Sequence, residues 1–179
     1  MTNQIDSRLR LLLDREDIRE CISRYARGVD RLDDELVRSA FHDDAVDCHG
    51  SSCFGREEFI AAIRPLQTGR EFSQHFIANQ AIDVDDDAAH VETYFTVAFK
   101  MADTAEVEVR GGRYVDRFER RDGIWRISVR VVVMEWSLTG DAKSMQKMLR
   151  TNHRSTRDRT DVSYERPLAP QSLSEANEA

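Results

Sequence analysis

Apolar residues recur at spacings of three and four through Ile18, Ile22, Tyr25, Val29 and Leu32, which predicts an α-helix with one buried face. Asp14, followed by Asp17, is the expected start of that helix, because a short acidic side chain can accept the unpaired amides of a first turn. Two shorter helical patterns follow. "DDELVRSAF" carries Leu36, Val37, Ala40 and Phe41, and "GREEFIAAIRPL" carries Phe59, Ile60 and Ile63 up to Pro65, whose ring cannot continue the backbone ladder. Between them "AVDCHG" reads as a short strand. After residue 70 the character changes to long segments rich in β-branched and aromatic residues: "FSQHFIANQAIDV", "AAHVETYFTVAFKM", "AEVEVRGGRYVDRF" and "IWRISVRVVVMEW". Their separators, "DVDDDA" and "ERRDGI", are short and polar, with Asp122-Gly123 a hairpin signal, while Gly111 and Gly112 inside a strand predict a bulge or sharp bend.

Helices first and antiparallel strands afterwards predict an α+β architecture, the helices covering one face of a strongly curved, mostly antiparallel sheet. The folded body is placed at residues 1–137, with 138–179 a polar C-terminal extension that has helical potential near 141–150. The last dozen residues, beside Pro167 and Pro170, are expected to be disordered.

Composition narrows the partners. The 179 residues suit one domain, and 33 acidic against 26 basic residues give a net charge of −7, which repels a phosphate backbone and argues against nucleic acid. No apolar run is long enough for a membrane span or signal segment, so a cytoplasmic location is expected. Cys21, Cys48 and Cys53 form no C-x-x-C, so three free, buried thiols in a reducing compartment are expected. The five histidines form neither H-x-H nor H-E-x-x-H, and there is no glycine-rich phosphate loop or G-x-S-x-G elbow, so no metal, cofactor or acyl-enzyme chemistry is indicated.

Two polar residues stand apart. Asp30 falls at the edge of the helical stripe, five residues after Tyr25, and His75 sits among aromatics in "FSQHF". Pattern alone reads them as a surface acid continuing Asp33, Asp34 and Glu35, and as a satisfied core histidine.

The layout "YARGVDRLDDELVRSAFHDDAV", then "GREEFI", "SQHFIAN" and "GGRYVDRFERRDGIWRISVR", resembles the SnoaL-like branch of the nuclear transport factor 2 superfamily over roughly residues 8 to 137. The tail "DRTDVSY" is similar to that branch too. The resemblance implies a cone-shaped α+β barrel around a deep, mostly apolar pocket. It also implies cofactor-free lyase or isomerase chemistry, with an Asp near the end of the first long helix, a His on the first long strand and, in some members, a Tyr about one turn before the Asp. Here those are Asp30, His75 and Tyr25.

An imidazole held by a carboxylate keeps one tautomer and a free far nitrogen, so His75 would remove a proton from carbon, Asp30 would orient it, and Tyr25 would assist a departing oxygen. Tyr25 can equally be a core aromatic on the helix stripe. Three further residues are candidate substrate contacts. His49 shares a strand face with Asp47, Trp125 would line the pocket, and Arg130 matches a position where the resemblance implies an anion- or oxygen-binding arginine. Strand alternation sets Arg130 opposite Trp125 and Ile127, so it reaches that pocket only if a bulge shifts the register.

The expected function is a dehydratase-type lyase acting without cofactor on a hydrophobic, ring-containing molecule. The alternatives are a ketosteroid-type double-bond isomerase, a non-catalytic small subunit of a ring-hydroxylating dioxygenase, and an apolar ligand carrier. Apolar residues on both faces of the last strand, Val129, Val131 and Val133 against Val132, Met134 and Trp136, predict a homo-oligomer, a dimer or trimer.

Overall fold

The apolar stripe is the buried face of helix α1 (Thr2–Arg31), where Ile18, Cys21, Ile22, Tyr25, Ala26 and Val29 are each at most 5% exposed. The structure, a computed structural model, describes residues 2–142 and 155–168. The helix starts a dozen residues before Asp14, contrary to the expected start. Leu9, Leu12 and Leu13 are strong helix formers with no breaker among them, but they remain exposed and so leave no buried stripe to read. Leu32 turns the chain at φ +55°, and the Asp33 N–H donates to Gly28 O at 2.9 Å. Helix α2 (Asp34–Ala40) then starts with Asp33 as its cap and crosses α1 closely: a Cβ on Gly28 would lie 2.7 Å from the Val37 nitrogen. That contact fixes the last turn of α1, which carries Asp30.

Helix α3 (Arg56–Thr68) continues one turn past the expected stop, with Pro65 inside it. The strands are β1 (Phe41–His49), β2 (Ser52–Gly55), β3 (Arg70–Asp85), β4 (Ala88–Met101), β5 (Glu106–Arg121) and β6 (Ile124–Asp141). They form one open sheet in the order β2-β1-β6-β5-β4-β3, antiparallel throughout except for the β1–β6 pair. The expected α+β layering is present, with β2 and β3 as free edges. Asp122 and Gly123 make the hairpin turn, both at positive φ, +53° and +77°.

Bulges bend the sheet. Gly111 pairs with Trp136 and Gly112 with Met134, leaving Glu135 as the extra residue, and a Cβ on Gly111 would stand 2.2 Å from the Trp136 ring. β6 runs unbroken through residue 137 to Asp141, so the sheet extends past the boundary read from composition. Residues 155–168 lie back against the end of α1. The expected helix near 141–150 and the chain end fall outside the described residues, apart from the strand end at 141 and residues up to 168.

The cysteine expectation is corrected. Cys48 and Cys53 face each other across the β1–β2 hairpin, 4.0 Å apart at Cα, and form a disulfide; only Cys21 is a buried free thiol. The signal was the hairpin rather than a Cys motif: Gly50, at φ +64°, turns "CHGSSC" so that its two ends pair. Burial pushes the Cys21 thiol up to about 11. Among the described residues no helix is long and apolar enough to cross a membrane.

Candidate active site

Strand β3 is an edge, so alternate amides along it have no neighbouring strand to receive them. One of these, the His75 N–H, donates to Asp30 Oδ2 at 2.8 Å, and the His75 ring Nδ1 lies 2.7 Å from Asp30 Oδ1. A carboxylate only accepts, so Nδ1 carries the proton and Nε2 is left with the free lone pair. Both side chains are shielded, at 7% exposure for His75 and 13% for Asp30. The His75 ring leans on Phe95, centroids 6.5 Å apart. Asp30 therefore sets the rotamer, the tautomer and the backbone position of one residue at once.

The helix end that carries Asp30 is clamped from behind. Arg157 Nε donates to Asp30 O at 3.0 Å, and Nη2 donates to Val29 O at 3.2 Å and Gln67 Oε1 at 2.9 Å. The Asp30 and Val29 carbonyls belong to the last turn of α1, where helical i+4 donors run out and Val29 O has only the long 3.5 Å contact from Leu32 N–H. Farther along the same strap, Tyr164 donates its hydroxyl to Asp33 Oδ2 at 3.0 Å, and Arg27 Nη2 reaches Ser163 O at 3.3 Å. "DRTDVSY" resembled the family but its residues, and Arg157 just before it, had no role in the sequence reading; the signal was a run of charged and polar residues, with too few apolar positions to fold alone.

Asp30 and His75 open onto a cleft of about 380 Å³ between α1 and β3, which Arg27, Arg31, Gln74 and Ile77 also line. Its walls are more polar than the apolar pocket that was expected.

The other expected site residues lie elsewhere. Tyr25 is 3% exposed and boxed by Phe41 (5.7 Å), Phe59 (6.4 Å) and Tyr114 (5.7 Å), with the Arg130 guanidinium 4.2 Å above its ring. Burial pushes the phenol well above its usual range, against the pull of Arg130, so it is a neutral group. It is not among the residues lining the cleft.

Arg130 is on the concave face. Arg117 pairs with Val129 and Phe118 with Ile127, so Ser128 is an extra residue and the bulge turns Arg130 to the same side as Ile127. There it is fully buried and holds Asp116 with two bonds, of 2.8 and 2.7 Å. Burial works against its charge, but the adjacent Asp116 carboxylate more than offsets this and holds the guanidinium above its ordinary value.

Trp125 is a correction. Its Nε1 donates to Asp14 Oδ1 at 2.9 Å, and Asp14 is more than four helical turns from Asp30, so Trp125 closes the far end of the core. His49 shares the inner face with Asp47, as strand alternation predicts. Its Nδ1 bonds Asp47 Oδ1, and its ring stacks on Phe59 at 5.2 Å, away from the dyad cleft.

Residues 10–131 match the family profile described as SnoaL-like domain. No curated protein sequence matches the chain. Among solved structures, the fold is similar to a protein from Novosphingobium aromaticivorans DSM 12444 provisionally designated a scytalone dehydratase (TM-score 0.68, 18% identity, 77% of this chain and 91% of that one). It is also similar to hexachlorocyclohexane dehydrochlorinase type 3 from Novosphingobium barchaimii LL02 (TM-score 0.67, 20% identity, 74% and 93%). A third is a protein from Novosphingobium aromaticivorans provisionally designated an aromatic ring hydroxylase (TM-score 0.65, 20% identity, 73% and 94%). At these identities the likeness is one of fold.

Proposed function

This chain belongs to the SnoaL-like domain family, and from that premise we propose that it is a cofactor-independent lyase that eliminates water or a similar leaving group from a ring-containing small molecule. The observation that carries the proposal is the double hold of Asp30 on His75, through Nδ1 and through the backbone amide. Two of the similar folds bear the names of eliminating enzymes, which supports the reaction class.

In the proposed step, His75 Nε2 takes a proton from the carbon beside the leaving group. The electron pair of that C–H bond becomes the new double bond, and the C–O bond breaks toward oxygen. The imidazolium then returns its proton to the departing hydroxyl, so water leaves and neutral His75 is restored. Asp30 stabilises the transient positive charge and prevents the ring from turning. Tyr25, walled off by three aromatic rings, is given a packing role in place of the leaving-group role expected from the family resemblance. A double-bond isomerase would use the same base and return the proton to another carbon, so the product distinguishes the two.

The proposal includes a second copy of the chain. Val129, Val131, Trp136 and Leu138 share the outer face of β6 and are between 38% and 60% exposed on one chain, and a homo-oligomer would cover that surface. The function is tested by incubating the protein with a panel of hydroxylated ring compounds and following the absorbance of a new conjugated double bond together with loss of 18 mass units, roughly one water. Conversion by the parent protein supports the lyase, an isomer of unchanged mass supports the isomerase, and binding without conversion overturns both.

A further inference from the structure

The dyad cleft is cationic in a protein of net charge −7, and its one carboxylate is already engaged. Both oxygens of Asp30 are held by His75, at 2.8 and 2.7 Å. That leaves Arg27 and Arg31, one turn apart on α1 and on either side of Asp30, as the unspent charges of the lining, with the Gln74 amide opposite them on β3.

Neither arginine makes a short, hydrogen-bonded ion pair among the described residues. Arg27 has no ion pair with a carboxylate among the described residues: Nη2 bonds Ser163 O and Oγ, each at 3.3 Å, and the guanidinium lies 4.6 Å over the Tyr164 ring. Arg31 pairs with Asp161 through Nε at 3.5 Å, and among the described residues that buried Nε makes no hydrogen bond. Asp161 itself is occupied by the Thr156 and Ser163 amides, both at 3.1 Å. Behind the cleft, Arg157 and Arg70 donate to the same neutral acceptor, Gln67 Oε1, at 2.9 and 3.1 Å, which adds positive charge with no counter-ion in contact among the described residues. Burial, with a smaller push from the neighbouring Arg157 and Arg110, brings Arg70 down to about 10. A favourable position at the negative end of α1 accounts for one or two such side chains, but not for their convergence on a cleft that also holds a base.

We propose that this cleft recognises a carboxylate on the substrate, with Arg27 and Arg31 as its binding residues, and that the molecule processed by His75 is a ring acid. Guanidinium groups match a planar carboxylate in geometry as well as charge. Ile77 and the apolar stems of the two arginines leave room for a ring beside the anion. A carboxylate fixed here would hold the rest of the molecule against His75. This deepens the lyase proposal, on which it rests only for the position of the reacting carbon.

The test is calorimetric binding of benzoate, 2-naphthoate and cyclohexanecarboxylate, each beside its uncharged primary amide, to the full chain. The parent should bind at least one acid about tenfold or more tightly than its amide. Arg27→Gln and Arg31→Gln should each remove most of that preference, and Arg27→Lys should keep part of it. Equal binding of acid and amide, or an acid preference unchanged in both glutamine variants, overturns the proposal, as does failure of all three acids to bind. If the arginines only hold the strap, the glutamine variants will melt earlier with the acid preference unaltered. Binding needs no turnover, so a parent that prefers ring acids but converts none of its substrate panel would remove the lyase and leave this site standing.

Discussion

Arg130 and Asp116 form a two-point ion pair with neither side chain exposed, at 2.8 and 2.7 Å, on the concave face of the sheet. The pair sits beneath Tyr25 and Tyr114, whose rings lie 4.2 and 4.1 Å from the Arg130 guanidinium. Removing one partner leaves an uncompensated buried charge. Asp116→Ala is expected to cost about 3–5 kcal/mol, measured as the shift of a denaturant unfolding curve, whereas replacing both residues by apolar ones should cost much less. An Asp116→Ala loss no larger than that of an ordinary surface substitution would show that the pair is not sealed from water.

The strap carries its own acid-sensitive contact. Burial works against the Asp161 carboxylate, but the Ser163 hydroxyl and amide, Arg31 and the Thr156 amide together hold it below its ordinary value near 3.8. A carboxyl depressed in the folded state adds stability that is present above its unfolded pKa, about 4, and is lost as pH falls through the lower folded value. Hydrogen exchange of residues 155–165 is therefore expected to be slow at neutral pH and to accelerate, after correction for the intrinsic rate, below about pH 4. Asp161→Asn should bring that faster exchange to neutral pH.

The Cys48–Cys53 bridge closes a small loop on the hairpin that carries His49. A loop this short restricts the unfolded chain little, so reduction should cost roughly 2 kcal/mol or less and lower Tm by only several degrees. Thermal melts with and without reductant measure this. Binding at the dyad cleft should be indifferent to reduction, because β1 and β2 contribute no lining residue to it.

The parts of the fold that were legible in the sequence are those where local pattern and tertiary contact agree. The stripe from Ile18 to Val29 packs where its period says, Asp122-Gly123 turns because both residues take positive φ, and Gly111-Gly112 sits opposite a bulge. Alternation misplaced Arg130 because one extra residue, Ser128, reverses the positions from Val129 to Met134, up to the second bulge at Glu135, and nothing in "RISVRV" marks that insertion. Trp125 looked like a pocket aromatic because its partner, Asp14, is distant in sequence and had been read as a helix cap. The dyad was visible only through family resemblance. Asp30 and His75 are 45 positions apart, and their contact depends on β3 being an edge strand with a spare amide, a property of the assembled sheet.

The outer face of β6 makes a prediction about assembly. Val131 is 43% and Trp136 49% exposed on one chain, so light scattering at micromolar concentration should give a mass above that of one copy, 20.6 kDa. Val131→Lys with Leu138→Lys should shift the particle toward one copy. A monomeric parent would remove the oligomer from the account.

The central claim is that His75, held by Asp30, moves the proton. Its most direct measurement is the rate of double-bond formation by the parent, His75→Ala, Asp30→Ala and the double variant on one substrate found by screening, with binding measured in parallel. The account predicts a loss of about a hundredfold to ten-thousandfold in each single variant, and a double variant little worse than the poorer single one, because the two side chains act as one unit. Binding should change far less than rate. Turnover unchanged by His75→Ala would contradict the mechanism outright.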